Sequence, residues 1–161
     1  MTANQRQSAS RYASNRLPSK VRDQTWVFAE SPNGNLRDLK RSGKWIVYVA
    51  PEHHDEVWKK VRTATRKGAL GVSAKAATAK PNGLGGSSRA LSVIVYTADY
   101  EDHDDVSRVL AGIRGIGING RLSYKRDEDT LAQRYGKGTA IYVSQPDSLD
   151  FEDRRSARSV G

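Results

Sequence analysis

Two serine–lysine pairs recur in the sequence, and their residue types suit phosphate binding. Ser73 and Lys75 lie in one predicted strand, and Ser123 and Lys125 lie in another. Because side chains alternate across a strand, each pair shares one face while its apolar neighbours point the other way. Ammonium and hydroxyl groups both donate hydrogen bonds to phosphate oxygens, so the pattern predicts a phosphate site centred on the two lysines. Three basic residues close to the second pair join this predicted site: Arg121, Arg126 and Arg134.

The serine–lysine pairs could instead be ordinary solvent-facing residues, since serine and lysine are also common on half-exposed strands. This second interpretation stays open.

A histidine and three tryptophans suggest further functions. His54 lies at the start of a predicted helix, where it could act as a general acid near neutral pH or simply cap the helix. Trp26 and Trp45 could stack a nucleobase. Trp58 has the helical spacing that is typical of a core residue.

Several kinds of chemistry are excluded or disfavoured by composition and motif. The chain has no cysteine, which excludes disulfides, thiolate zinc sites and cysteine nucleophiles. The glycine-rich turn from Lys80 to Arg89 lacks the ending of a P-loop and joins two predicted strands. The acids at Asp127, Glu128 and Asp129 fit the first turn of a short helix, which favours negative charge. We therefore expect neither a metal site nor a cofactor.

The charge balance predicts an anionic partner. The 161 residues carry 27 basic and 18 acidic side chains, a formal net charge of +9. Such an excess favours nucleic acid, nucleotides or phosphorylated groups, although it can also serve solubility alone. No apolar run is long enough to span a membrane, and no secretory signal opens the chain, so we expect a cytoplasmic protein without membrane contact.

The order of predicted elements indicates one α+β domain between two polar tails. Residues 1–24 have five basic side chains against one acid and almost no large aliphatics, which predicts a disordered basic tail. Residues 145–161 predict a second polar tail, and residues 25–144 the folded domain. Within that domain two strand–helix–strand units follow each other and look like copies. A duplicated βαβ unit predicts a ferredoxin-like sheet, antiparallel or mixed, with both helices on one face.

The same segments resemble a known family of small domains. The resemblance covers roughly residues 26–143 and rests on these segments: Gly43–Val49, Asp55–Val61, Gly68–Lys75, Val95–Thr97, Asp105–Val106 and Tyr124–Ala132. They are similar to the basophilic-leukaemia-expressed (Bles) family, whose members are often labelled phosphothreonine lyases. The resemblance implies a fold similar to that of the cap-binding translation initiation factor.

Two functions of different classes follow from this resemblance. The lyase label implies cofactor-free β-elimination of phosphate from a phosphorylated peptide, with Lys75 as the base, Lys125 and Arg126 on the phosphate and His54 as the acid. The cap-binding fold implies an RNA or nucleotide 5′-end binder that stacks a base between two tryptophans. Trp26 and Trp45 are the candidates for that stacking, and the basic tail fits RNA. A non-catalytic interaction module is the third possibility.

Overall fold

The domain is built on one antiparallel sheet of seven strands in the order β1-β3-β4-β2-β5-β6-β7. The computed structural model describes residues 15–34, 37–81, 90–132 and 139–155. The strands are β1 (Trp26–Glu30), β2 (Gly43–Val49), β3 (Ser73–Ala77), β4 (Leu91–Thr97), β5 (Leu122–Arg126), β6 (Ala140–Ser144) and β7 (Glu152–Asp153). The helices are α1 (Pro51–Arg66), α2 (His103–Gly115) and α3 (Asp127–Leu131), and a 3-10 turn spans Pro18–Lys20.

The four central strands have the connectivity that the duplication predicts. One unit is β2-α1-β3 and the next is β4-α2-β5, and their strands interleave in the sheet as β3-β4-β2-β5. That order is the ferredoxin-like arrangement. Every strand pair is antiparallel, which decides between the two kinds of sheet that the sequence left open. The α+β prediction is confirmed, with β1 widening one side of the sheet and β6 and β7 the other.

Both long helices pack on the same face of the sheet. Trp58 and Val61 of α1 are fully buried together with Trp45 and Val47, which alternate along β2. Helix α1 ends just before Gly68, whose φ of +77° suits glycine and stops the helix. Burial of large side chains such as these contributes roughly 1.5–3 kcal/mol each, so this layer is the main source of stability. None of the described helices has the length and apolar character needed to cross a membrane.

The opposite face of the sheet, here called the far face, carries the alternate side chains of the same strands. Ile46, Ile94 and Tyr96 form a small separate cluster there, and Trp26 and Val72 pack against it. This cluster is much smaller than the helix-side core. Polar and charged side chains therefore share the far face with a few apolar ones.

Packing extends beyond both predicted boundaries of the folded domain. Val21 is fully buried, and its carbonyl accepts a hydrogen bond from the Ala79 amide. At the other end, β7 pairs with β6, and the ring of Phe151 lies 5.9 Å from that of Trp45. Single apolar residues in polar surroundings have no periodicity, so the sequence pattern does not reveal that they are anchors. Residues 1–14 and 156–161 of the predicted tails lie outside the described residues.

The guanidinium of Arg114 joins the end of α2 to the loops beside it. The side chain is 8% exposed and donates five hydrogen bonds. Its acceptors are the carbonyl oxygens of Ile118, Gly120, Gln145 and Ser148 and the hydroxyl of Ser144. Burial lowers the pKa of Arg114 from its ordinary value, and the negative charge of Asp147 partly opposes this shift. This residue therefore fixes the start of the predicted C-terminal tail against the sheet.

Candidate functional site

Both serine–lysine pairs lie on the far face, as the strand alternation predicts. In β3, Ala74 is buried against the helices while Ser73 and Lys75 are half-buried on the other side. Ser123 and Lys125 occupy the equivalent positions of β5. Strands β4 and β2 separate the two pairs, so the strands that carry them are three spacings, or about 14 Å, apart. The pairs are thus two ends of one surface and do not share a single compact phosphate site.

Lys44 lies between the two pairs and was missed by the sequence analysis. It is directly opposite Lys125 in the β2–β5 register, and like charges in that position repel each other. Burial, and then the charge of Lys44, lower the pKa of Lys125 from its ordinary value. The sequence could have revealed the position of Lys44. Side chains alternate along a strand, so Lys44 shares the far face with Ile46 and Tyr48.

The buried carboxylate of Asp127 balances part of this positive charge. It accepts hydrogen bonds from Lys44 Nζ at 2.8 Å, Arg37 Nη1 at 3.0 Å and Ser42 Oγ at 2.5 Å. Asp127 is the first residue of α3, as predicted for an acid in a first turn. Its three partners come from β2 and the loop before it, so one side chain connects that loop, the sheet and α3.

Tyr96 is the centre of a cationic cluster on the far face. The guanidinium of Arg37 lies 3.6 Å above the centroid of the Tyr96 ring. The ammonium groups of Lys75 and Lys44 lie 5.8 and 5.9 Å from the same centroid. Three cations around one ring, together with Lys125 beside Lys44, form a row that crosses four strands. We call Arg37, Lys44, Lys75 and Lys125 the cationic row.

Trp26 stands at one end of the cationic row, and of the two predicted stacking residues it alone is partly exposed. Its ring is half-buried and has the ammonium of Lys75 at 4.0 Å from the ring centroid. Trp45 is fully buried on the helix side, where its Nε1 donates to the carbonyl oxygen of Val106 at 3.2 Å. The prediction of a stacking role for Trp45 is therefore wrong, because the alternation of side chains along β2 directs this residue into the core.

His54 is on the wrong side of the sheet to act with Lys75. The residue is 2% exposed in the first turn of α1, between the helix and the sheet, with Nε2 2.7 Å from the carbonyl oxygen of Ala77. Burial lowers its pKa from the ordinary value, which favours the neutral ring. The predicted pairing of a lysine base with this histidine acid is wrong, because α1 lies on the face opposite to Lys75.

The three arginines predicted near the second pair have different environments. Arg121 is exposed immediately before β5. Arg126 binds the carboxylate of Asp129, with Nε 2.8 Å from Oδ2, and is therefore engaged by an acid of the next helix instead of facing a phosphate. Arg134 lies outside the described residues, as do residues 82–89 of the glycine-rich turn. Within the described ranges no group of three histidine or acidic side chains could hold a metal ion.

Solved structures with similar folds are cap-binding translation factors. A schistosome eIF4E complexed with m7GpppG and 4E-BP aligns with a TM-score of 0.60 and 13% identity, over 89% of this chain and 81% of that chain. The same factor complexed with m7GpppA gives 0.59 and 12%, with the same coverage. C. elegans eIF4E-3, solved with Mextli and a cap analog, gives 0.50 and 17%, over 66% of this chain and 65% of that chain. The chain thus spans slightly less than two thirds of the C. elegans factor.

These similarities confirm the predicted likeness to the cap-binding fold, and at such identities they show the fold alone. No curated protein matches the sequence significantly. A family model does: that of basophilic leukemia-expressed protein Bles03 matches residues 5–130, well over half of the chain. The chain therefore belongs to the Bles03 family.

Proposed function

We propose that this protein binds the phosphorylated 5′ end of RNA on the far face of its sheet. The cationic row supports this function most directly. It brings four cations onto one face, where the carboxylate of Asp127 offsets only part of their charge. The local excess of positive charge, with Lys44 and Lys125 directly opposed, is relieved by a bound polyphosphate.

Trp26 gives this face a surface for a nucleobase. Its ring is accessible at the end of the row, and stacking on an aromatic ring contributes about 1–3 kcal/mol per base. The related folds were solved with m7GpppG and m7GpppA, ligands in which a base adjoins a chain of phosphates. Of the three tryptophans in the chain, Trp45 and Trp58 are in the core, so a base cannot lie between two tryptophans. Recognition here therefore relies more on phosphate charge than on a base sandwich.

The geometry supports the lyase hypothesis less well than it supports RNA binding. All three histidines lie in or at the start of the helices on the other face, so no histidine is positioned to protonate a leaving group beside Lys75. The ammonium of Lys75 lies 4.0 Å from the centroid of the Trp26 ring, so a positive charge adjoins the aromatic surface that a nucleobase would use. We therefore prefer binding to β-elimination as the function of this face.

Alanine variants of the far face test this function. We expect Lys75→Ala, Lys125→Ala and Trp26→Ala each to weaken binding of a short 5′-triphosphorylated RNA by about tenfold, since each removes one charge-assisted contact or a stacking surface. Fluorescence anisotropy of labelled RNA measures the affinity. The same RNA with a 5′-hydroxyl is the matched ligand, and Lys59→Ala on the opposite face is the matched variant.

The outcomes distinguish the candidate functions. Equal affinity for the two RNAs, or unchanged affinity in all three far-face variants, would remove the proposed 5′-end site. A phosphothreonine peptide incubated with the protein and analysed by mass spectrometry completes the test. Loss of phosphate with formation of the dehydrated product would establish the lyase instead.

The N-terminal basic residues should add a salt-dependent contribution to RNA affinity. Deletion of residues 1–14 removes Arg6 and Arg11 but keeps the buried anchor Val21. Two fewer phosphate contacts should reduce the slope of log K against log salt by about 1.4 for single-stranded RNA. Affinities of both chains measured across a salt series give the two slopes. Equal slopes would show that these arginines do not contact RNA.

A further inference from the structure

A groove on the helix side of the molecule has the properties of a docking surface for another protein. It has a volume of about 460 Å³ and lies beside the C-terminal half of α1. Ala64, Ala69 and Ile116 line it with apolar surface. The groove is on the face of the sheet opposite to the cationic row, so it is separate from the proposed RNA site. We call it the α1 groove.

Three lysines contribute to the rim of the α1 groove. Lys60 and Lys67 both line it, both are exposed, and neither has an ion-pair partner in the described part of the chain. Their spacing of seven residues places them on the same side of α1, two turns apart. Lys59, also at the rim, pairs with Glu56 at 2.9 Å. Two uncompensated positive charges beside an apolar surface favour a ligand that has both apolar and acidic groups.

We propose that the α1 groove binds an acidic amphipathic helix of a partner protein. Such a helix places apolar side chains against Ala64, Ala69 and Ile116 and carboxylates near Lys60 and Lys67. RNA is the poorer occupant, because its phosphates match the charge but its bases find no aromatic ring among the residues that line the groove. The complementary charges mainly set the specificity and the association rate, and the apolar contact provides the anchor.

The chain's own undescribed segments do not fit the α1 groove. Residues 1–14, 35–36, 82–89, 133–138 and 156–161 contain no aspartate or glutamate, and four of these five segments contain arginine. A basic segment is repelled by the lysine rim. None of these segments therefore supplies the acidic groups that the lysine rim favours. A second copy of this chain would have to present acids such as the exposed Asp104 at the start of α2. Sedimentation velocity distinguishes such self-association from binding of a partner protein.

The test uses the full chain and synthetic peptides with fluorescein labels. The probe is a helical peptide with leucines on one face and glutamates on the other. One control peptide replaces the leucines with serines, and another replaces the glutamates with lysines. We expect the probe to bind at least about tenfold more tightly than either control, and Lys60→Glu/Lys67→Glu to weaken probe binding by about tenfold or more. The matched variant is Lys40→Glu/Lys80→Glu, which reverses two exposed lysines outside the groove and should leave the affinity unchanged.

Three results would overturn the proposal. Equal binding of the probe and the serine peptide would show attraction by charge alone, without use of the apolar groove. An equal loss of probe affinity in the two double variants would show that Lys60 and Lys67 make no specific contribution to binding. Sedimentation velocity without peptide provides the third: a dimer of the wild-type chain that Lys60→Glu/Lys67→Glu dissociates would identify a second copy as the occupant. The far-face RNA affinity should fall no more in Lys60→Glu/Lys67→Glu than in Lys40→Glu/Lys80→Glu, which has the same net charge, and this keeps the test independent of the proposed function.

Discussion

Replacing Arg114 with methionine should lower the free energy of unfolding by about 4 kcal/mol. The methionine keeps much of the apolar stem but removes all five hydrogen bonds that the guanidinium donates. It leaves four carbonyl oxygens and one hydroxyl without these donors, and two of the acceptors, in Ile118 and Ser144, belong to buried residues. Each buried acceptor that loses its partner costs about 1–3 kcal/mol, and partial hydration of the loops recovers some of this.

Urea unfolding followed by tryptophan fluorescence measures the change, and Arg108→Met is the matched control. Arg108 is on the same helix, but its side chain is 53% exposed and its main partner is Asp105 in the next turn towards the N-terminus. Loss of such a surface pair costs about 1 kcal/mol or less. If the two variants are equally stable, Arg114 does not anchor the segment after β6. Arg114→Lys should recover little, because a single ammonium cannot reach five acceptors in different directions.

The sequence predicted the fold better than the site, and particular residues show why. The central βαβ units were predictable because Ile46-Val47-Tyr48 and Ile94-Val95-Tyr96 form short apolar runs, and because α1 and α2 have helical spacing of their apolar residues. The outer strand β7 was not predicted, since two polar residues that pair with β6 have no alternation to reveal them. Arg114 likewise looks like an ordinary basic residue at a helix end, and only the loops that fold around it bury it.

Strand parity explains what was predicted of the site. It placed Lys75 and Lys125 correctly on one face, because alternation within a strand is a local property. It could not give the distance between them, which depends on β4 and β2 lying between their strands. The same alternation along β2 places Lys44 on the far face and Trp45 in the core. Applied to β2, it would have revealed the missed lysine and corrected the prediction for the tryptophan. The prediction that His54 acts with Lys75 was wrong for a non-local reason. It depended on which face of the sheet α1 covers, and the local sequence does not show this.

Asp127 holds two cations of the proposed anion site, Lys44 and Arg37, so its substitution should affect both the stability of the domain and anion binding. We expect Asp127→Asn to lower the free energy of unfolding by about 3 kcal/mol. The side chain keeps its shape but loses its charge, so Lys44, whose side chain is 9% exposed, remains as a buried cation without a counter-charge. Arg37, at 28% exposure, can partly turn to water, which limits the loss. Asp99→Asn is the matched control, because Asp99 pairs with the exposed Arg41 and its loss costs about 1 kcal/mol or less.

Inorganic pyrophosphate should restore much of the lost stability of Asp127→Asn. Removal of the carboxylate leaves the cationic row with more uncompensated charge, so an added anion should bind the folded variant more tightly than it binds the wild-type chain. A ligand present at about a hundred times its Kd stabilises the native state by about 2.7 kcal/mol, which is close to the expected loss. Urea unfolding of both proteins with and without pyrophosphate measures this difference. If pyrophosphate stabilises Asp127→Asn no more than the wild-type chain, then Asp127 does not compete with an anion for Lys44 and Arg37, and the row is a structural ion cluster.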